Sequence, residues 1–303
     1  MPLRTLQSIL IALTLTALAV LSSTATHACT LKPELSHVVA KVTSADTITL
    51  DDGSEVVLIG ALPPVNLDTA TSAWPPAELS RKALERLVSG QPVGLAFAGR
   101  RRDRYGRHLA HVFLDRDGQR IWVQANLIAS GHARAYALPG NTACLNHLLD
   151  HERSARTAKS GHWATGIFQD RDAHASRSLA RYHGTFQTIE GRIDHIAKVN
   201  GHQVLDFSAD HRQGFSVWLP PRTTTRATNA TLPKELTGQH VRVRGWIEMR
   251  RSPRLTITSP AEIEHLDSNP TQQMSGVDEA PSKLPSAPTA TAIPGQAAAS
   301  QSP

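Results

Sequence analysis

The sequence predicts a mainly β fold with packed helices, an α+β protein built as two successive blocks and a polar tail. Three observations carry this. Short β-branched runs recur over residues 37–114 and again over 186–259, with turn residues between them. Helical spacing is concentrated in and just after the first stretch. From Asp267 onward large apolar side chains almost vanish. The chain has 303 residues, 40% of them hydrophobic, enough for two ordinary cores.

Taken in order, Arg4 precedes an apolar run from Ile9 to Leu21, which ends in the small residues "SSTATHA". That order of charge, core and cleavage site reads as a secretory signal over residues 1–28, and the run is shorter than the roughly 20 residues needed to span a bilayer. Export would place Cys29 and Cys144, the only two cysteines, in an oxidising compartment, periplasmic or secreted, where an isolated pair most often forms a disulfide. Thr26-His27-Ala28 poorly matches the Leu-led sequence that precedes a lipidated cysteine, so the bridge is expected in place of a lipid anchor at Cys29.

In the first block, 37–166, "HVVAKV", "TITL" and "EVVLIG" read as strands, with "DDG" at Asp51 to Gly53 as the turn between the second and third. "PAELSRKALERLVSG" switches to helical spacing, its stripe placed on Leu79, Ala83, Leu84 and Leu87. "PVGLAFA" and "HLAHVFL" return to strand, and "WVQANLIASG" and "CLNHLLDHERSARTAKSG" read as helices. Residues 167–185 are the expected linker. The second block, 186–266, offers five strands, an "NG" hairpin turn at Asn200-Gly201 and one helical turn at "LPKELTG", which fits a small Greek-key barrel of the OB type. Residues 267–303 have the composition of a disordered tail.

Net charge is +6, which favours anionic partners such as nucleic acid or another polyanion without choosing among them. The charge is densest in "RRRDRYGRHLAHVF", where Arg100, Arg101, Arg102, Arg104 and Arg107 surround Tyr105-Gly106. This element, together with "SADTITLDDG", "VVLIGALPPV" and "WVQANLIASGHARAY", resembles the staphylococcal nuclease-like (thermonuclease) family over about His37 to Trp163. The resemblance implies a five-stranded OB-type barrel with helices packed on it. It also implies calcium-dependent phosphodiester hydrolysis, in which a cation and two arginines neutralise the growing phosphate charge and a glutamate activates water. The second block looks like the OB-type module that follows this domain in some exported bacterial members.

Carried over residue by residue, the family's strand-turn metal aspartate falls on Asp46 and its Tyr-Gly-Arg arginine on Arg107. Arg102, Arg104 and Tyr105 extend the expected phosphate-binding edge. The remaining positions are replaced. Anchored on Pro64, the second phosphate arginine falls on Val57, the second metal aspartate on Leu62 and the general base on Val65. None of these can ligate a cation or move a proton. No Arg, Asp or Glu lies between Val56 and Asn66, and Asp68 is the nearest carboxylate downstream. The expectation is therefore a nuclease fold with a degenerate site that binds an anionic polymer. The rival is an active endonuclease that recruits calcium at Asp46 and a base from elsewhere. A third reading is an envelope interaction module without a small ligand.

Further expectations concern other side chains. His147 and His151, spaced four apart on an expected helix and followed by Glu152, lack an evident third ligand for a zinc site and read as surface residues, and His108 and His111 share a strand region. Trp122, Trp163, Trp218 and Trp246 are expected in cores, with Trp218 as a candidate stacking platform.

Overall fold

The computed structural model describes residues 29–65, 74–210, 213–220 and 236–267. The signal reading, Asp68, most of "LPKELTG" and the tail after Asp267 lie outside them.

The first block begins with β1 (Leu35–Ser44), β2 (Thr47–Leu50) and β3 (Glu55–Leu58), joined by tight turns. After β4 (Ala61–Leu62) and helix α1 (Pro75–Val88) come β5 (Pro92–Ala96), β6 (His108–Arg116) and β7 (Gln119–Trp122). β1 pairs antiparallel with both β2 and β5, β2 with β3, β5 with β6, and β3 runs parallel to β6. That circuit closes five strands in the order of the OB fold, as expected. Alternation along β3 buries Val56 and Leu58 in the barrel and turns Val57 outward.

Helices α2 (Val123–Ala129) and α3 (Leu145–Thr157) cover the barrel, and β8 (Arg134–Ala135) between them pairs with β4. The stripe of α1 differs by one position from the expectation. Ser80, Leu84, Leu87 and Val88 are buried, whereas Leu79 is 55% exposed. Ser80 takes the inward place because its hydroxyl donates to the His132 carbonyl at 2.7 Å and sits 2.9 Å from His162 Nε2. A buried polar group with both partners met is tolerated where leucine would fit geometrically.

Residues 167–185 carry structure of their own. β9 (Asp170–Asp172) pairs parallel with β10 (Phe186–Arg192), and Ala173 and Leu179, the latter in the short helix α4 (Ser176–Leu179), enter the second core. β11 (His195–Val199) continues β10 after a break at Ile193-Asp194 and pairs with β12 (His202–Asp206) across Asn200-Gly201. Both turn residues have positive φ, 48° and 82°, the conformation that Asn-Gly supplies in a two-residue hairpin turn. β13 (Ser216–Leu219), β14 (His240–Met249) and β15 (Pro253–Thr256) complete a second circuit, with β13 parallel to β15 and β14 returning to β10. β16 (Ile263–His265) adds to β14. The described residues up to Asp267 form one compact unit.

Ion pairs join the blocks. Arg244 on β14 is fully buried and pairs with Glu152 of α3 at 3.0 Å and with Glu264 of β16. Glu152 also accepts from Arg156 at 2.7 Å and from the Ala135 amide, and Arg156 reaches Asp170 at 3.2 Å. Burial pushes the Glu264 carboxyl up, but Arg244 and Arg242 outweigh it and hold the group below its ordinary range. Glu152 follows the two helical histidines in sequence but is itself buried, its charge compensated by an arginine from a strand 92 residues away.

Candidate functional site

The strand register brings three of the expected site positions to one barrel edge. Thr47 lies opposite Val57, and Val57 lies opposite Leu109. Asp46 immediately precedes Thr47, on the Leu58 side of this rung, and Arg107 immediately precedes His108, level with Glu55 on its other side, so the two charged residues flank Val57 along β3. The backbone seals this edge, since the Leu58 amide donates to the Asp46 carbonyl at 2.8 Å.

Local hydrogen bonds occupy the polar groups there. Asp46 Oδ1 accepts from Ser44 Oγ at 2.6 Å and Thr47 Oγ1 at 2.9 Å. Asp103 Oδ1 accepts the amides of Tyr105 and Arg107, and its Oδ2 accepts Arg107 Nε at 2.7 Å. An aspartate folding its own backbone in this way is ordinary turn chemistry. Burial raises the Asp103 carboxyl, but the Arg107 guanidinium and the two amides outweigh this and hold it below its ordinary value. Arg107 thus braces the turn. Arg102 donates to the Gly106 carbonyl at 2.6 Å, and Arg104 bonds the Tyr105 hydroxyl while lying 4.7 Å from that ring's centre. Tyr105 is 66% exposed, so this edge presents a solvated ring flanked by guanidinium groups.

Calcium does not fit these residues. The ion takes about 6–8 oxygens. Among the described residues the edge offers Asp46, one of whose oxygens already accepts two hydroxyls, and Asp103, both of whose oxygens are taken, beside the hydrocarbon of Val57. Elsewhere, the ligand atoms of His37, Asp51 and Asp52 lie within 4.8 Å of one another at the first hairpin. His37 Nδ1 faces Asp51 at 3.2 Å, and Asp52 accepts the Ser54 amide and hydroxyl, so the exposed hairpin accounts for the grouping.

The other two replaced positions lie elsewhere. Leu62 is buried and pairs in register with Arg134, while Val65 is 52% exposed. Both line a cavity of about 290 Å³ between the two blocks, to which Asp46, Val57 and Arg107 do not contribute. Phe186 and Trp246 of the second barrel form part of its wall. Trp246 is 39% exposed and not in the core as expected. Trp218, the expected platform, is half-buried; its indole donates to Ser216 Oγ, and Arg254 lies 5.0 Å from the ring centre.

His111 and His162, both in the first block, are buried. His108 and His111 point to opposite faces of β6, so they cannot converge on a metal. Ser80 and His162 resemble a nucleophile–base pair, but the hydroxyl donates to the His132 carbonyl and both groups are out of solvent. Burial pushes both His111 and His162 down to about 4, with His132 adding to the effect on His162. The unfolded chain takes up these protons near pH 6.5 and the folded protein only near 4, so acid favours unfolding across that window. Each histidine should then cost up to about 3 kcal/mol by pH 4. Glu262, pushed up to about 7 by burial, acts in the opposite direction between about 7 and its ordinary 4.5. In a Glu262→Gln background, denaturant midpoints should therefore fall clearly between pH 7 and pH 4.5. A flat profile would show that the imidazoles reach solvent.

Residues 56–165 match the family model described as Staphylococcal nuclease homologue. An uncharacterized protein of Bacillus anthracis is 32% identical over 123 residues, which cover 38% of this chain and 56% of the relative. The chain thus spans about half the length of that curated relative. Among the described residues no helix is long and apolar enough to cross a membrane. The first block is thus similar to a staphylococcal nuclease homologue over residues 56–165, a match that begins in β3, and β1 and β2 complete its closed five-stranded barrel.

Proposed function

We propose that this is an exported nuclease-fold protein whose hydrolytic site is degenerate and which binds nucleic acid or another anionic polymer without cleaving it. One observation carries the reading: Val57, Leu62 and Val65 stand where a phosphate clamp, a metal ligand and a base are needed, and they fall in two separate places. Residues that act as a unit in catalysis lose their effect together, so a remaining arginine does not preserve a fraction of the rate. Binding asks less. A solvated edge of Arg102, Arg104 and Arg107 around Tyr105 supplies charge and one stacking face, the two contributions that hold single strands without reading their sequence. The two proposed modules are residues 37–166 and 186–266. Export rests on the order of residues 1–28 and on the bridged cysteines.

The test is to incubate purified protein with single-stranded DNA, double-stranded DNA and RNA, with calcium and with chelator, beside an Arg107→Ala variant. The expected result is no cleavage in any arm, together with strand binding that weakens steeply with salt and weakens further in Arg104→Ala. Calcium-dependent cleavage lost in Arg107→Ala would overturn the degenerate-site reading and establish the endonuclease. Absence of strand binding at low salt would remove the polyanion reading and leave the envelope interaction role.

A further inference from the structure

Among the described residues, Arg134 is a buried arginine outside the ion-pair cluster. It is 7% exposed, on β8, and lines the cavity between the blocks. Its Nη2 donates to the Phe186 carbonyl at 2.9 Å, and its guanidinium lies 4.8 Å from the Phe168 ring centre and 5.0 Å from that of Phe186. Its Nε has no hydrogen-bond partner, and among the described residues Glu152 and Asp170 act on it only from beyond ion-pair distance. This contrasts with Arg244, equally buried, which is flanked by two glutamates. Burial accordingly pushes the Arg134 guanidinium down to about 10, with Glu152 too weak an influence to offset it. A cation removed from water and left without a counter-charge costs free energy that an anion brought beside it would recover.

The rest of the wall describes what that anion is attached to. Leu62, Val65 and Ile167 give an apolar side, Trp246 presents a ring, and Arg171 adds a second guanidinium. Arg171 is held over the Tyr182 ring at 4.0 Å, with its Nε donating to Gln187. A cavity of about 290 Å³ accepts one ring system with a short substituent. An apolar wall with a few convergent polar groups is the usual form of a small-ligand site.

We infer that the cavity between the two barrels, floored by Arg134 and walled by Trp246 and Ile167, is a binding site for a small planar ring carrying one anionic group. This goes beyond the polyanion reading and rests on a different set of residues. Two sources have that chemistry: a nucleotide, free or at a strand end, and a free aromatic acid. The replacement of hydrophilic family positions by Leu62 and Val65 then has a chemical sense, since carboxylates there would repel the ligand.

The test titrates the protein with adenosine 5′-monophosphate, adenosine, benzoate and benzyl alcohol, read by calorimetry and by tryptophan fluorescence. At least one anionic ring should bind, and its neutral counterpart should bind about tenfold or more weakly, the loss expected for one charged hydrogen bond. Ile167 is 37% exposed, so it can carry a charge without unfolding the barrel. Ile167→Glu should weaken binding about tenfold and Ile167→Lys should not, by the opposite interactions of the new charges with the anion. Trp246→Ala should reduce the fluorescence response, leaving the part that comes from Trp74, which also lines the cavity. Binding of the nucleotide alone assigns the first source and of benzoate alone the second; binding of both supports the shared chemistry. If neither anion binds at millimolar concentration, if neutral rings bind as well, or if Ile167→Glu has no effect, the assignment is wrong. Strand binding at the Arg104 and Arg107 edge should be insensitive to Ile167→Glu, so the two proposals fail separately.

Discussion

Arg244→Ala should destabilise the protein by about 3–5 kcal/mol, the range found when one partner of a buried ion pair is removed. The size follows from what remains. Glu152 and Glu264, fully and almost fully buried, would each keep a negative charge in a low-dielectric interior and lose their main donor. Arg156, Arg153 and Arg242 also reach these carboxylates, which keeps the loss from growing further. Denaturant unfolding followed by tryptophan fluorescence measures it. Combining Arg244→Met with Glu264→Gln should cost less than the two single changes added, because the second removes a charge that the first leaves unpaired. A loss below about 1 kcal/mol for Arg244→Ala would be in the range of exposed pairs and would show that water reaches the cluster.

The second large effect is expected at the disulfide. Cys29 and Cys144 are bridged, with Cα atoms 5.5 Å apart and a separation of 115 positions in sequence. A sulfur so engaged cannot also carry a lipid thioether. The bridge ties the segment before β1 to the residue before α3, whose Leu145, Leu148 and Leu149 enter the first core. For a closed loop of this length, the chain-entropy model gives about 4–5 kcal/mol of stabilisation. The Cys29→Ala/Cys144→Ala variant should lose that amount, and reductant should shift the parent to the same midpoint while leaving the variant unmoved. A parent insensitive to reductant, with the variant as stable as the parent, would show that the bridge contributes nothing.

Much of the fold is local enough to be read from the chain. The strands of both barrels announce themselves by β-branched runs with "DDG" and "NG" between them, because turn chemistry and strand alternation depend on near neighbours. The replaced site is legible for a similar reason: "VVLIGALPPV" contains no charged side chain. The inward face of α1 is less legible. Leu79 is the better apolar residue, yet Ser80 is buried, since its partners His132 and His162 lie 52 and 82 residues away. The same blindness hides Glu152, which sits between two histidines and an arginine like any exposed helical acid.

Arg107 shows the limit within a motif. Asp-x-Tyr-Gly-Arg names the residue types, but the turn decides that Asp103 takes up Arg107 Nε. By itself, then, the sequence determined the strands of the two circuits, the uncharged run "VVLIGALPPV" and the basic edge, all of which follow from short-range pattern and residue chemistry. The tertiary structure alone decided which charges are compensated. Arg244 pairs with two carboxylates and, among the described residues, Arg134 ion-pairs with none, because burial and counter-charge are set by strands and helices far apart in the chain, and no local pattern records them.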